Sequence, residues 1–273
     1  MKPVSLIFFL MAVSFAFSKK QDSHRPAEIK IIQPDKHITW YKGAIIRGDS
    51  TQKKIALVFT ADEFAEGGNF ILSSLRKEKI KGSFFFTGRF YRNPEMKSLI
   101  RRLKKAGHYL GAHSDEHLLY CDWSKRDSLL VTKAQFADDL EKNYAEIKKL
   151  GIAKKAARLF IPPYEWYNDT IAAWTKEMGL QLINFTPGTR TPADYTWPGM
   201  AGYHGSEEIY QSVIDREALS PSGLNGFILL VHTGTDPRRT DKFYHYLPRL
   251  VSELKAKGYQ FQKVDELTGA DEN

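Results

Sequence analysis

Short apolar runs alternate with stretches of helical period along most of this chain, and that alternation restricts the fold more than any other feature. The first run, Ile55-Ala56-Leu57-Val58-Phe59-Thr60, is apolar almost throughout and is bounded by Lys53-Lys54 and Asp62-Glu63. A strand with one wet face alternates polar and apolar residues, whereas a continuous run suits a parallel strand covered on both faces. Similar runs at 83–87, 108–112, 157–161, 180–185, 226–231 and 260–264 are read as strands. Between them, helical spacing predicts helices over 69–79, from Asn93-Pro94 to Gly107, and over 132–150, 168–178, 206–217 and 243–257. Pro94 in a first turn, Thr132 with Gln135, and Gly151 are the expected start and stop signals. The pattern predicts an α/β fold, a single parallel (β/α) barrel of about seven strands, complete or lacking a strand. Residues 29–46, punctuated by Pro34 and Gly43, suggest a short N-terminal β extension of one or two strands. The expected organisation is a leader at 1–18, the extension at 19–50 and the barrel at 51–273.

Lys2 precedes an apolar run from Val4 to Phe17, the length of a signal-peptide core and too short to span a bilayer. Ala16-Phe17-Ser18 suits cleavage near Ser18, so an exported protein, periplasmic or extracellular, is expected. Cys121 is the only cysteine, which excludes an internal disulfide and offers no lipid-anchor cysteine near the cleavage region. The net charge is 40 − 32 = +8, or +7 without Lys2, and such a surface attracts anionic partners. Runs such as Arg101-Arg102-Leu103-Lys104-Lys105 are read as solvated helix faces, and no RNA-binding aromatic signature or zinc-finger spacing is present, so nucleic acid is not an expected partner.

In parallel barrels functional side chains gather at the carboxyl ends of strands, and Asp62, His113, Tyr164 and His232 all fall there in this reading. His113 and His117 are four residues apart, which on a helical turn puts both imidazoles on one face, about 5–6 Å apart at Cβ. With Asp62 as a third ligand they leave a coordination position open, the pattern of a hydrolytic metal centre. Zinc is the first expectation, with cobalt, nickel or manganese as alternatives that the ligand set does not separate. His232, at the end of an apolar strand, is a candidate general acid to a leaving group, the alternative being a satisfied core histidine. Tyr164, Trp166, Tyr167, Tyr195 and Trp197 are candidates for stacking on sugar faces. The polar loop 234–242 is a candidate rim contact for an anionic substrate, or simply a solvated loop.

From about Ile55 to Leu267 these residues resemble the polysaccharide deacetylases of carbohydrate esterase family four, the group with the NodB-like domain. His113-Ser114-x-x-His117 is similar to that family's metal-binding His-Ser/Thr-x-x-His motif, and Phe59-x-x-Asp62 resembles its acidic first motif in a spaced form. Phe160-x-Pro162-Pro163-Tyr164 looks like the groove-wall motif, whose Tyr backbone amide contributes to the oxyanion site, and Leu230-x-His232 like the motif carrying the catalytic acid. Asp194 stands for the carboxylate that orients that histidine. The resemblance implies a distorted barrel and metal-dependent removal of acetyl groups from an acetylated polysaccharide such as peptidoglycan or a chitin-like chain, with O-acetyl xylan as an alternative substrate.

Two positions depart from the pattern. Thr60 stands where the family has its general-base Asp, and Ile161 where it has an Arg contacting that base. The two losses are coupled, since a guanidinium facing a missing carboxylate would be left unpaired. Glu63 is the first candidate to replace the base, with Glu165 and Asp115 behind it; a second register makes Asp62 the base and Glu63 the ligand. The rival reading is a catalytically silent carbohydrate-binding relative that retains the metal.

Overall fold

The computed structural model describes residues 37–270; the expected leader and the start of the N-terminal extension lie outside the described residues. The described chain opens with a hairpin, β1 (Thr39–Tyr41) and β2 (Ala44–Arg47), paired antiparallel. Its two-residue turn, Lys42-Gly43, has φ of 44° and 75°, both positive as a turn matching the right-handed strand twist requires. Strands and helices then alternate: β3 (Lys54–Ala61), α1 (Gly68–Lys77), β4 (Ser83–Phe86), α2 (Gly88–Arg92), α3 (Lys97–Lys105), β5 (Tyr109–Ala112), α4 (Lys133–Lys149), β6 (Leu159–Phe160), α5 (Asp169–Glu177), β7 (Gln181–Leu182), α6 (Ser206–Leu219), β8 (Ile228–His232), α7 (Leu247–Ala256), β9 (Gln260–Gln262) and α8 (Val264–Leu267).

The sheet order is β7-β6-β5-β4-β3-β8, all parallel, and β9 pairs with the first residues of β3. The hairpin fills the gap between the two outer strands. Ile45 bridges Ile183 just past β7, Arg47 bridges Phe227 just before β8, and the Gly48 N–H donates to the Gly226 carbonyl at 2.8 Å. Gly226 has φ of 71° and lies so close to Gly48 that a Cβ would stand 2.4 Å from the Gly48 oxygen, so the seam closes only around glycine. The expected extension is therefore a closing element of the barrel.

Successive residues of β3 feed two cores. Ile55, Leu57 and Phe59 pack outward against the helices, and Ala56 and Val58 pack inward with Phe85, Leu159, Ile161, Ile228 and Leu230. That double burial is why the run carries no alternation, and each Ile, Leu, Val or Phe among them contributes about 1.5–3 kcal/mol on leaving water. Thr132 caps α4 in a reciprocal box with Gln135, as the sequence signals predicted. Two strands expected to be longer, β6 and β7, keep only two paired residues each, and a single helical turn at Lys154–Ala157 replaces the start of the former. Among the described residues no helix is long and apolar enough to cross a membrane.

Candidate active site at the barrel rim

The twofold period of strands decides which side chains reach the rim from inside. In β3 the inward series Ala56, Val58 continues to Thr60 and Asp62; in β8 Ile228 and Leu230 lead to His232; in β4 Phe85 leads to Thr87; in β5 Tyr109 leads past Gly111 to His113. Thr60, Asp62, His113 and His232 line one groove of about 500 Å³ together with His117, Tyr164 and Glu165, and Thr87 lies behind Asp62.

His113 is buried, and its Nδ1 donates to the Ile161 carbonyl at 2.9 Å, which fixes the tautomer and leaves Nε2 as the lone-pair nitrogen. Its own N–H is held by Asn143 Oδ1 at 3.0 Å. His117 is not on a helical turn with it, as the sequence reading supposed. The segment after β5 is a loop in which Ser114 and His117 both take positive φ, 72° and 56°, and the His117 N–H donates to Ser114 Oγ at 2.9 Å. This hydroxyl-closed turn brings the imidazole ring centres to 5.0 Å. Gly88 is required beside it, because a Cβ there would stand 1.7 Å from Asp115 Oδ1.

Asp62 Oδ2 lies 4.0 Å from His117 Nδ1, so the three expected ligands share one end of the groove. Both Asp62 oxygens are also taken by the Arg89 guanidinium, and Thr87 Oγ1 donates to Oδ1 at 2.9 Å. As they stand, no three His, Cys, Asp or Glu side chains among the described residues are gathered to hold an ion. The donor chemistry nevertheless fits one. Burial opposes ionisation of Asp62, but Arg89, His117 and Thr87 hold its carboxyl below the usual range. Burial pushes His113 down to about 3, helped by His117, and His117 down to about 4, so both rings are neutral at pH 7. Arg89 and Thr87 were missed in the sequence; their place just past the tip of β4 was the signal that could have flagged them.

His232 stands at the end of β8, separated from β5 by β3 and β4. Asp194, in a short helical turn at Thr191–Tyr195, accepts from His232 Nδ1 at 2.6 Å and from the His232 N–H at 2.9 Å. Burial disfavours the imidazolium, yet the Asp194 carboxylate, with Glu165 beyond it, lifts the His232 pKa above the ordinary value.

The groove walls differ in part from expectation. Tyr164 and Tyr195 are exposed and line the groove, their rings 4.3 Å from His117 and 5.3 Å from His232, and Trp197 lines it beneath the Arg238 guanidinium. Tyr167 does not line it: its side chain is fully buried and its hydroxyl donates to the Tyr41 carbonyl at 2.9 Å. Trp166 stands behind the wall, donating from Nε1 to the Asp122 carbonyl and packed at a tilt against Trp123, which the sequence reading missed and which is the exposed ring at the groove. In the 234–242 loop Arg239 is fully buried, bonded to the Thr196 and His204 carbonyls, so it is no rim contact.

The candidate bases separate clearly. Asp115 is buried and gives both oxygens to Arg92 at 2.5 and 3.1 Å, outside the groove. Glu63, the first choice from sequence, lines the groove but is exposed, near enough to Arg89 to stabilise its charge. Thr60 Oγ1 is buried at the groove floor and accepts no hydrogen bond among the described residues.

Residues 47–183 match the family model described as polysaccharide deacetylase. The peptidoglycan-N-acetylglucosamine deacetylase of Bacillus cereus is 28% identical over 241 residues, 87% of this chain and 96% of the relative. The peptidoglycan-N-acetylmuramic acid deacetylase PdaA of Bacillus subtilis is 27% identical over 227 residues, 82% of this chain and 74% of the relative. The solved structure of that Bacillus subtilis family 4 carbohydrate esterase superposes with a TM-score of 0.63 at 25% identity, over 84% of this chain and 86% of the other. A family 4 pseudoenzyme of Bacillus anthracis shares the fold at a TM-score of 0.63 and 20% identity, over 84% and 70% of the two chains.

Proposed function

The chain belongs to the polysaccharide deacetylase family, and from that premise we propose that it is a metal-dependent hydrolase removing acetyl groups, N-acetyl foremost, from a cell-wall or chitin-like polysaccharide. The observation that carries the reading is the division of one groove into two chemical halves. Two neutral imidazoles and an ionised carboxylate stand together at one end, and an imidazole tethered to the Asp194 carboxylate stands at the end of β8, with β3 and β4 between it and His113. A silent binding protein has no use for a histidine whose proton affinity is raised against burial by a dedicated carboxylate, Asp194.

Asp62, His113 and His117 would hold the divalent ion, zinc in the first place, which when bound supplies Lewis-acid activation of the acetyl carbonyl and of water. The Ile161 carbonyl fixes the His113 ring with Nε2 presented, and the Ser114 hydroxyl fixes the loop that presents His117. Tyr164 and Trp123 offer a ring surface at one wall, and Tyr195 and Trp197 at another, suited to apolar sugar faces. In the turn after Pro162-Pro163 the Glu165 and Trp166 N–H groups donate to the Pro162 and Pro163 carbonyls at 3.0 and 3.2 Å. The Tyr164 N–H lies outside those two bonds, in keeping with a donor to the developing oxyanion. His232, its Nδ1 proton held by Asp194, is set to protonate the leaving nitrogen from Nε2. Export by the N-terminal leader puts this activity where a wall polymer is.

Acetate release from N-acetylglucosamine oligomers and from acetylated xylan, with and without chelator and added zinc, tests the proposal. Release from the oligomers that stops with chelator and returns with zinc is the expected result. Zinc retention without release from any acetylated glycan sinks it in favour of the silent carbohydrate-binding reading.

A further inference from the structure

Thr60 leaves the site without its usual proton acceptor, and the groove offers a different one. Glu165 is half-buried in the groove wall, on a segment that takes two consecutive left-handed conformations without glycine: φ is 59° at Tyr164 and 52° at Glu165. Such backbone is held only where its surroundings enforce it. Here they do, because the Glu165 N–H donates to the Pro162 carbonyl at 3.0 Å and its own carbonyl accepts from Asn184 Nδ2 at 2.7 Å. The backbone is thus tied on both sides, while the carboxylate takes no hydrogen bond or ion pair from the described residues. An untethered carboxylate in a catalytic groove, presented by strained backbone, is poorly explained by structure alone.

We propose that Glu165 is the general base of the deacetylation, replacing the carboxylate lost at Thr60. The inference rests on the deacetylase reading given above. In the step, Glu165 accepts a proton from water as the water oxygen bonds to the acetyl carbon. His232 gives its Nε2 proton to the sugar nitrogen as the carbon–nitrogen bond breaks. One water is consumed, and acetate and a free amine leave; Glu165 then loses its proton to solvent and His232 regains one.

The electrostatics agree with this role. Burial pushes the Glu165 carboxyl up to about 7, His232 opposing and Asp194 adding to the rise, so a base of useful strength is ionised near neutrality. The groups facing it are His232 from β8 and Asp194 and Tyr195 from the 191–195 turn, with His113 and Asp62 further along the groove.

The test compares E165Q, E165D and E63Q in the zinc-loaded protein on an N-acetylglucosamine oligomer, with zinc affinity and thermal midpoint measured alongside. E165Q is expected to lower kcat by roughly 10²–10⁴ with KM and zinc affinity unchanged, and to abolish the acidic limb of the pH profile. E165D keeps that limb at reduced rate, and E63Q stays within about threefold of wild type. E165Q turning over at the wild-type rate with the acidic limb in place overturns the assignment. If E165Q fails to fold, an E165D profile identical to wild type in rate and shape overturns it equally. Wild type that releases no acetate overturns the deacetylase reading itself, which separates the two failures.

Discussion

Asp62 gives both carboxylate oxygens to the Arg89 guanidinium while standing 4.0 Å from His117 Nδ1. The residue expected to bind a cation therefore already has one, from a side chain just beyond β4. The arrangement keeps a largely buried carboxylate ionised and oriented, and it sets the guanidinium and a divalent ion in competition for the same lone pairs.

R89M removes that competitor. The metal-free variant is expected to lose about 1–2 kcal/mol, less than breaking a fully buried pair costs because Arg89 is 40% exposed and partly screened, which lowers the melting midpoint by several degrees. Zinc then stabilises R89M by more degrees than it stabilises wild type, since binding no longer displaces a bound cation. Thermal scans with and without zinc decide it; equal zinc-induced shifts in the two proteins would exclude competition.

D194N tests the tether on His232. The Asp194 carboxylate raises the His232 pKa against burial, so its loss lowers that pKa. A general acid must be protonated, and the descending limb of the rate at high pH therefore moves to lower pH, with kcat down roughly 10²-fold or more at neutrality. An unmoved descending limb would remove His232 from the role of acid.

His108 supplies a pH dependence away from the groove. Burial pushes it down to about 4, with Lys81 adding, while its Nδ1 accepts from the Gly82 N–H at 3.1 Å. The unfolded chain takes up this proton near 6.5 and the folded protein only near 4, so stability is full above 6.5 and is lost as pH falls toward 4. Urea unfolding of wild type and H108N across that window is expected to show wild type losing up to about 3 kcal/mol more than the variant. Parallel curves would refute the assignment.

Trp123 is 54% exposed beside Tyr164 at the groove. W123A is expected to raise KM for a glycan oligomer about tenfold, the loss of roughly 1.4 kcal/mol of ring contact, with kcat within about twofold. A fall in kcat with unchanged KM would place the ring's effect in the transition state.

Much of the barrel was legible in the chain. The unbroken run at 55–60 marked β3 as buried on both faces, Thr132 with Gln135 marked the start of α4, and the rule of strand ends pointed to Asp62, His113, Tyr164 and His232. These are local signals of period, cap chemistry and composition. The wall residues were less legible: Tyr167 and Trp166 sit in one aromatic stretch, and only packing decided that the first is core and the second a support for Trp123. The seam role of β2 likewise depends on contacts with Ile183 and Phe227, more than a hundred residues away.

The amino-acid order by itself determined the alternating architecture, the inward column of side chains and the pairing of histidines with an acidic residue, because twofold and 3.6-fold periods are properties of local backbone. Only the tertiary structure decided that Arg89 clamps Asp62, that Asp194 holds His232, and that Glu165 and Glu63 line the groove while Asp115 is paired with Arg92 away from it. A charge finds its partner through distances set by chain closure, and those distances have no signature in any short stretch of residues.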